Sequence, residues 1–109
     1  MSAAVITPTR GEILLLYRRR KGLNQIDAAK EYGVHPDHYR DWEADRRLDD
    51  QPQQHLGQLS HNEICYLLRR RSGKTQREVA AAIGCTRLWL IRMEKGKAPI
   101  DRLRQYWGI

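Results

Sequence analysis

Arginine and lysine side chains are concentrated in the second half of this 109-residue chain. Residues 1–51 carry nine Lys or Arg and nine Asp or Glu, whereas residues 52–109 carry eleven and four. The net charge of +7 therefore belongs entirely to the second half. Cationic groups crowded into a short segment favour binding to a polyanion. General solubility is the alternative explanation, because a charge of this size also keeps a small protein dispersed.

Histidine and acidic residues offer few further possibilities for chemistry. His35 and His38 could share a helical turn, but no cysteine pair or third ligand lies at zinc spacing. Asp37, Asp41 and Asp45 recur every four residues. They suggest a metal site or, as we favour, a solvated acidic stripe paired with basic neighbours. Because no Ser-His-Asp pattern or phosphate loop stands out, we expect no enzyme, no metal, no cofactor and no small-molecule substrate.

The cysteines and the apolar segments indicate where the protein works. Cys65 and Cys85 fall at positions that we interpret as core-facing on helices, so we expect free thiols rather than a disulfide. No apolar run approaches the roughly 18 residues that span a membrane. Residues 1–7 lack the basic and apolar regions of a signal peptide. We therefore expect a cytoplasmic protein without a membrane partner.

The sequence contains an internal repeat, so the segments that position the basic residues occur twice in the chain. When the chain is aligned with itself at a spacing of 51 positions, 11 of the 32 pairs that begin at residues 12–43 are identical. Chance would give about two identities. The first members of the identical pairs are Glu12, Ile13, Leu16, Arg18, Arg19, Arg20, Gly22, Gln25, Ala29, Gly33 and Glu43. The sequence therefore contains two copies of one supersecondary unit.

Each copy is predicted to form three helices. Capping residues predict helix starts at Thr9 and Asn24 in the first copy and at Ser60 and Thr75 in the second. The third helix is expected to start after His35-Pro36, where proline suits the first turn, and after Thr86. Glycines predict the ends of the first two helices of each copy, at Gly22, Gly33, Gly73 and Gly84. We expect an all-α fold with an N-terminal tail (1–8), a first unit (9–47), a short linker (48–59) and a second unit (60–109). A last short helix is expected to begin near Asp101 and to end at Trp107.

The second copy resembles the helix-turn-helix of the phage lambda Cro and repressor family, also called the XRE type. That family has Gln, then Ala and Gly at intervals of four residues, an apolar pair, and then Glu and Gly. The matching residues are Gln76, Ala80, Gly84, Leu90, Met93, Glu94 and Gly96. The first copy matches less completely, through Gln25, Ala29, Gly33, Tyr39, Trp42 and Glu43, and has Asp45 at the position of Gly96. The resemblance thus implies the family unit in tandem duplicate.

The resemblance implies a role for individual positions of the second copy. Base edges in the major groove would be contacted by Thr86, Arg87, Leu88 and Arg92. The DNA backbone would be contacted by Thr75, Gln76, Trp89, Lys95 and Lys97. Trp89 fits a protein interface equally well. For the basic run 69–71, a solvated face is favoured over phosphate contacts, and an ordinary three-helix core without a ligand is the alternative for the whole copy.

The first copy departs further from a DNA-reading surface. Its base-facing positions hold Pro36, Asp37 and Asp41, and carboxylates there would repel phosphates. Compatible residues remain at Gln25, His38 and Arg40. We therefore expect a packing or assembly unit, with a weaker second reader of DNA as the alternative.

These observations together predict a sequence-specific transcriptional regulator that binds double-stranded DNA through the second copy. The resemblance further implies a repressor of a phage or other mobile element that binds as a homodimer. The rival hypotheses are a protein-interaction module, either an antirepressor or an adaptor, and an RNA-binding protein.

Overall fold

The computed structural model, which describes residues 6–109, is an all-α protein. Seven helices and no strand occur in this range. The helices are α1 (Arg10–Arg20), α2 (Gln25–Tyr32), α3 (Pro36–Glu43), α4 (His61–Ser72), α5 (Gln76–Ile83), α6 (Arg87–Glu94) and α7 (Asp101–Trp107). The chain divides into a first unit, Thr7–Gly57, and a second unit that contains Gln58–Ile109. No helix in the described range is long and apolar enough to cross a membrane.

The predicted capping residues begin the helices. Complete capping boxes, in which side chain and backbone bond reciprocally, are present at Thr9, Ser60 and Thr75. Asn24 and Thr86 each accept a hydrogen bond from a backbone N–H of the first turn, as N-cap residues do. The bounds of α5 and α6 equal those of α2 and α3 shifted by 51 residues. The second and third helices therefore occupy equivalent positions in both copies.

The second unit has an aliphatic core that is completed by α7. Its buried members are Cys65, Val79, Ala80, Leu90, Met93 and Leu103. Leu103 is the contribution of α7, which packs against α4 and α5. Each pair of neighbouring helices in this unit thus shares buried apolar surface, which fixes α6 in place.

The first unit fills the equivalent space with aromatic rings. Tyr39 and Trp42 of α3 are buried, and Tyr32 of α2 packs against both, with ring centroids 6.0 and 5.7 Å away. Burial and the neighbouring Glu43 carboxylate raise the pKa of Tyr39 well above its usual value. The core of the first unit is thus filled by larger side chains, whereas the core of the second unit is completed by an additional helix.

The segment that follows α3 is bonded to the first unit over most of its length. The Asp50 carboxylate accepts a hydrogen bond from Trp42 Nε1 at 2.9 Å, and Gln54 Nε2 donates to Tyr32 Oη at 2.9 Å. Hydrogen bonds from Arg47, then from Trp42, lower the pKa of Asp50 from its usual value. These long-range contacts give residues 50–54 defined positions without a helix or strand.

The two cysteines differ from each other in placement. Cys65 is buried on α4, and burial raises the pKa of its thiol to about 11. Cys85 lies in the turn between α5 and α6 and is partly exposed, so its predicted place on a helix was wrong. Both thiols are free.

Candidate nucleic-acid interface

Helices α5 and α6 form the frame of the candidate interface. Ala80 is buried, and Gly84 ends α5 with a φ of +74°, a conformation that costs glycine little. Leu90 and Met93 on one side of α6 are buried against this frame. The opposite side of α6 consequently faces outward.

The four residues predicted to contact base edges are all exposed on this outward side. Thr86 caps α6, because its hydroxyl accepts a hydrogen bond from Trp89 N at 3.1 Å. Arg87 follows at the first helical position, and Leu88 is 71% exposed. The Arg92 guanidinium lies 5.7 Å from the centroid of the Trp89 ring, and its Nη2 donates to Lys97 O at 3.3 Å. The structure therefore brings two arginines and an apolar side chain onto one short helix face.

Four of the five residues predicted to contact the DNA backbone lie at the ends of this frame, and the fifth, Trp89, lies within α6. Thr75 is exposed at the N-cap of α5, and Lys95 and Lys97 are exposed directly after α6. Trp89 is 43% exposed. Gln76 is half-buried, and its amide lies 3.5 Å from Glu94 Oε1 at the limit of a hydrogen bond.

An ion pair beneath the interface was missed by the sequence analysis. Arg69 Nε and Nη2 donate to the two carboxylate oxygens of Glu94 at 2.7 and 3.1 Å. The side chains are only 12% and 2% exposed, so the prediction of a solvated face was wrong for Arg69. The first unit contains the same arrangement between Arg18 and Glu43, at 2.6 and 3.2 Å. In both units a glutamine of the second helix joins the carboxylate.

The internal repeat held the signal for this network. Its three members, the arginine, the glutamine and the glutamate, are all identical between the copies. The base-facing positions, in contrast, differ completely between the copies. Identity across the repeat therefore includes all three members of this buried network.

The first copy neutralises the basic side chains around its third helix. Arg40 pairs with Asp37 at 3.1 Å, and Arg46 pairs with Asp41 at 2.9 Å. His38 Nε2 lies 2.9 Å from the Asp50 carboxylate. Two of the predicted weaker readers, at positions 38 and 40, are thus engaged with carboxylates, and Gln25 donates to the buried Glu43 at 2.9 Å.

The second copy leaves the cations around its third helix available. Across residues 6–109, the structure shows no ion pair for the side chains of Arg87, Arg92, Lys95 and Lys97. In the same range, no group of three or more His, Cys, Asp or Glu residues could hold a metal ion. Arg87, Arg92, Lys95 and Lys97 give this surface hydrogen-bond donors and positive charge.

A comparison with protein-family models identifies the frame. Residues 67–106 match the family described as a helix-turn-helix domain. This segment is therefore similar to a helix-turn-helix domain. It indicates DNA binding and transcriptional regulation, and it is typical of proteins without enzymatic activity. Comparisons with curated proteins and with solved structures found no match.

The helix-turn-helix match covers α5, the turn and α6 completely. It also covers all nine second-copy positions that the resemblance predicts to contact DNA. The first copy lies outside the matched residues, and its relation to the domain depends on the 51-residue spacing and the equal helix bounds.

Proposed function

We propose that this protein is a sequence-specific DNA-binding transcriptional regulator whose helix α6 enters the major groove. The observation that carries the proposal is the outward face of α6 on a frame similar to a helix-turn-helix domain. Within residues 6–109, Arg87 and Arg92 on this face have no acidic partner. In such a frame the third helix meets base edges while the second lies across the backbone. Arginine is the side chain that most often reads guanine, through two hydrogen bonds to O6 and N7.

Each exposed group has a role in this proposal. Arg87, Arg92 and the hydroxyl of Thr86 read base edges, and Leu88 lies against a thymine methyl group. Backbone phosphates are bound at the start of α5 and after α6, by Thr75, Gln76, Lys95 and Lys97. The Trp89 ring packs on the sugar-phosphate backbone while it supports the Arg92 guanidinium. Polar and apolar contacts together would give sequence preference as well as affinity.

The first copy is proposed to be a packing or assembly unit that arose with the second by tandem duplication. Ion pairs with Asp37, Asp41 and Asp50 occupy the cations that a DNA-reading helix would need at this place. A phosphate would have to displace these carboxylates before it could bind. Gln25, His38 and Arg40 therefore contribute at most weakly to DNA binding.

The resemblance to the lambda Cro and repressor family supports a finer proposal. We infer that the protein acts as a repressor for a phage or other mobile element and binds its operator as a homodimer. A regulator of transcription must reach the DNA, so we expect it in the cytoplasm.

Selection of binding sites from random duplex DNA, followed by affinity measurements, tests the proposal. A preferred sequence should emerge, and Arg87→Ala and Arg92→Ala should each weaken binding to it. Loss of a bidentate base contact costs about 1–3 kcal/mol, and preference at one base position should relax. Arg40→Ala of the first copy is the matched control and should bind like the original protein. Unchanged affinity in both second-copy variants would remove α6 from the reading role.

Exposed apolar residues on α6 favour a second candidate function. Leu88 and Trp89 are 71% and 43% exposed, which also suits a protein-interaction module such as an antirepressor or adaptor. In that case the selection should yield no preferred DNA, and Leu88→Ser should abolish capture of a protein partner. An RNA duplex of the same length, used as competitor, separates RNA binding from DNA binding.

A further inference from the structure

Helix α7 contacts the loop before α5 through a lysine–tyrosine pair. Lys74 Nζ donates to Tyr106 Oη at 2.8 Å, and the ammonium lies 5.4 Å from the centroid of the same ring. The Lys74 side chain is exposed, whereas Tyr106 is half-buried beside Trp107, with ring centroids 4.9 Å apart. The pair therefore ties the C-terminal helix to the residue directly before the N-cap of α5.

The hydrogen-bond chemistry of the pair leaves donors facing outward. An ammonium group has three donors and no acceptor, so the phenol oxygen must accept in this bond. The hydroxyl proton of Tyr106 and two ammonium protons then remain for a further partner. The hydrogen bond to Tyr106 raises the pKa of Lys74, so the ammonium stays charged. A group rich in acceptors and negative charge fits this arrangement.

The backbone of Lys74 is held in place by the buried ion-pair network. Arg69 Nη1 donates to Lys74 O at 3.3 Å while the same guanidinium binds Glu94. No ion pair of Lys74 with an acidic residue is present in the part of the chain that the structure describes. The first copy has Leu23 at the equivalent position, where it cannot offer a charge. The lysine–tyrosine pair thus belongs to the basic copy alone.

We propose that Lys74 and Tyr106 form a phosphate clamp that binds the DNA backbone beside the start of α5. This inference rests on the proposed function, because it requires that the second copy faces DNA. It assigns α7 a part in binding in addition to its part in the core. The clamp contacts phosphate and carries no sequence preference, as is usual for backbone contacts.

Fluorescence anisotropy with a labelled random-sequence 30-base-pair duplex, at several NaCl concentrations, tests the clamp without knowledge of the operator. The salt slope is the slope of the logarithm of the binding constant against the logarithm of the salt concentration. Lys74→Met should lower its magnitude by about one, since one phosphate contact is lost. Tyr106→Phe retains the ring and should weaken binding about two- to tenfold, as expected for one hydrogen bond, with an unchanged slope. In a protein that already carries Lys74→Met, Tyr106→Phe should weaken DNA binding less than it does in the original protein. Lys30→Met of the first copy is the matched control for the loss of one charge.

The outcomes separate this inference from the proposed function. A salt slope of Lys74→Met equal to that of Lys30→Met would overturn the clamp, while Arg87→Ala could still relax sequence preference. An original protein that binds no duplex DNA would overturn both proposals. Circular dichroism of each variant reports the helical fold, and additive effects of the two substitutions would show that the residues do not act as a pair.

Discussion

The buried ion-pair residues that the two copies share and the base-facing residues that differ have separate tasks. Arg69 and Glu94, like Arg18 and Glu43, form a buried ion pair that holds the first helix of a unit to the third. A buried charge is tolerated only with a partner, so both members of each pair must be kept together. The positions of Arg87 and Arg92, in contrast, hold Pro36 and Asp41 in the first copy. The two copies thus share the buried pair and differ in the charge of the base-facing surface.

Removal of one partner from the buried pair should destabilise the second unit strongly. Glu94→Gln leaves the Arg69 guanidinium, which is 12% exposed, without a carboxylate. We expect a loss of about 3–5 kcal/mol in the free energy of unfolding, measured by urea denaturation. Glu31→Gln is the control, because the Lys21–Glu31 pair is about half exposed on both sides. Its effect should stay below about 1 kcal/mol. Equal effects of the two substitutions would contradict a structural role for the buried pair.

At the scale of the elements, local signals in the sequence predicted most of the helix boundaries. The capping residues Thr9, Ser60 and Thr75 bond to residues only three positions away, so their role can be inferred from short motifs. The course of residues 50–54 could not be predicted, because Asp50 and Gln54 bond to side chains that only the tertiary fold brings near. The inward direction of Arg69 escaped prediction for the same reason. The nine DNA-contact positions of the second copy came from the resemblance and stay predictions.

A glycine and a polar residue occupy opposite positions in the two copies, one at the start of the first helix and one in the loop after the third. At the 51-residue spacing Gly11 corresponds to Asn62, and Asp45 corresponds to Gly96. The Asp45 carboxylate accepts a hydrogen bond from Gly11 N at 2.9 Å. In the second unit Asn62 Nδ2 donates to Glu94 O at 3.1 Å, and a Cβ on Gly96 would lie 3.2 Å from Asn62 Oδ1. Each unit therefore combines one glycine with one polar residue in the opposite order.

A double-mutant cycle in the second unit should reveal that positions 62 and 96 are energetically coupled. Gly96→Asp should destabilise the unit by about 1–3 kcal/mol, because its φ of +73° is unfavourable for other residues and the new Cβ crowds Asn62. Addition of Asn62→Gly should relieve the crowding and let the new carboxylate bond to the backbone of residue 62. The coupling free energy from urea denaturation should then be favourable by at least about 0.5 kcal/mol. Purely additive effects would show that the two positions are independent.

At the scale of the whole molecule, the unequal distribution of charge predicts unequal roles for the copies. The second half carries the whole excess of +7, and Lys95 and Lys97 lie exposed directly after α6. Lys95→Gln and Lys97→Gln should each lower affinity for all DNA sequences and flatten the salt slope by about one. Arg40→Gln and His38→Gln should change the slope much less, because Asp37 and Asp50 already engage these side chains. A larger effect of the first-copy substitutions in the salt titration would reverse the assignment of the halves.

The number of chains on an operator follows from the number of reading helices in one chain. Among residues 6–109, α6 presents arginines without carboxylate partners at base-facing positions, whereas α3 presents Pro36, Asp37 and Asp41 there. Under the proposed function one chain therefore offers one effective reader, and a two-fold operator with half-sites about 34 Å apart requires two readers. We expect native mass spectrometry to find two chains on a duplex that contains both half-sites.

A duplex with a single half-site is the control for this stoichiometry and should bind one chain. Arg87→Ala should weaken both complexes, and it should affect the two-chain complex more because two base contacts are lost together. If the first copy were a full second reader, one chain would saturate the complete operator and Arg40→Ala would weaken that complex as strongly as Arg87→Ala. Since each carboxylate beside α3 repels phosphate as well as engaging a cation, we expect the two-chain complex.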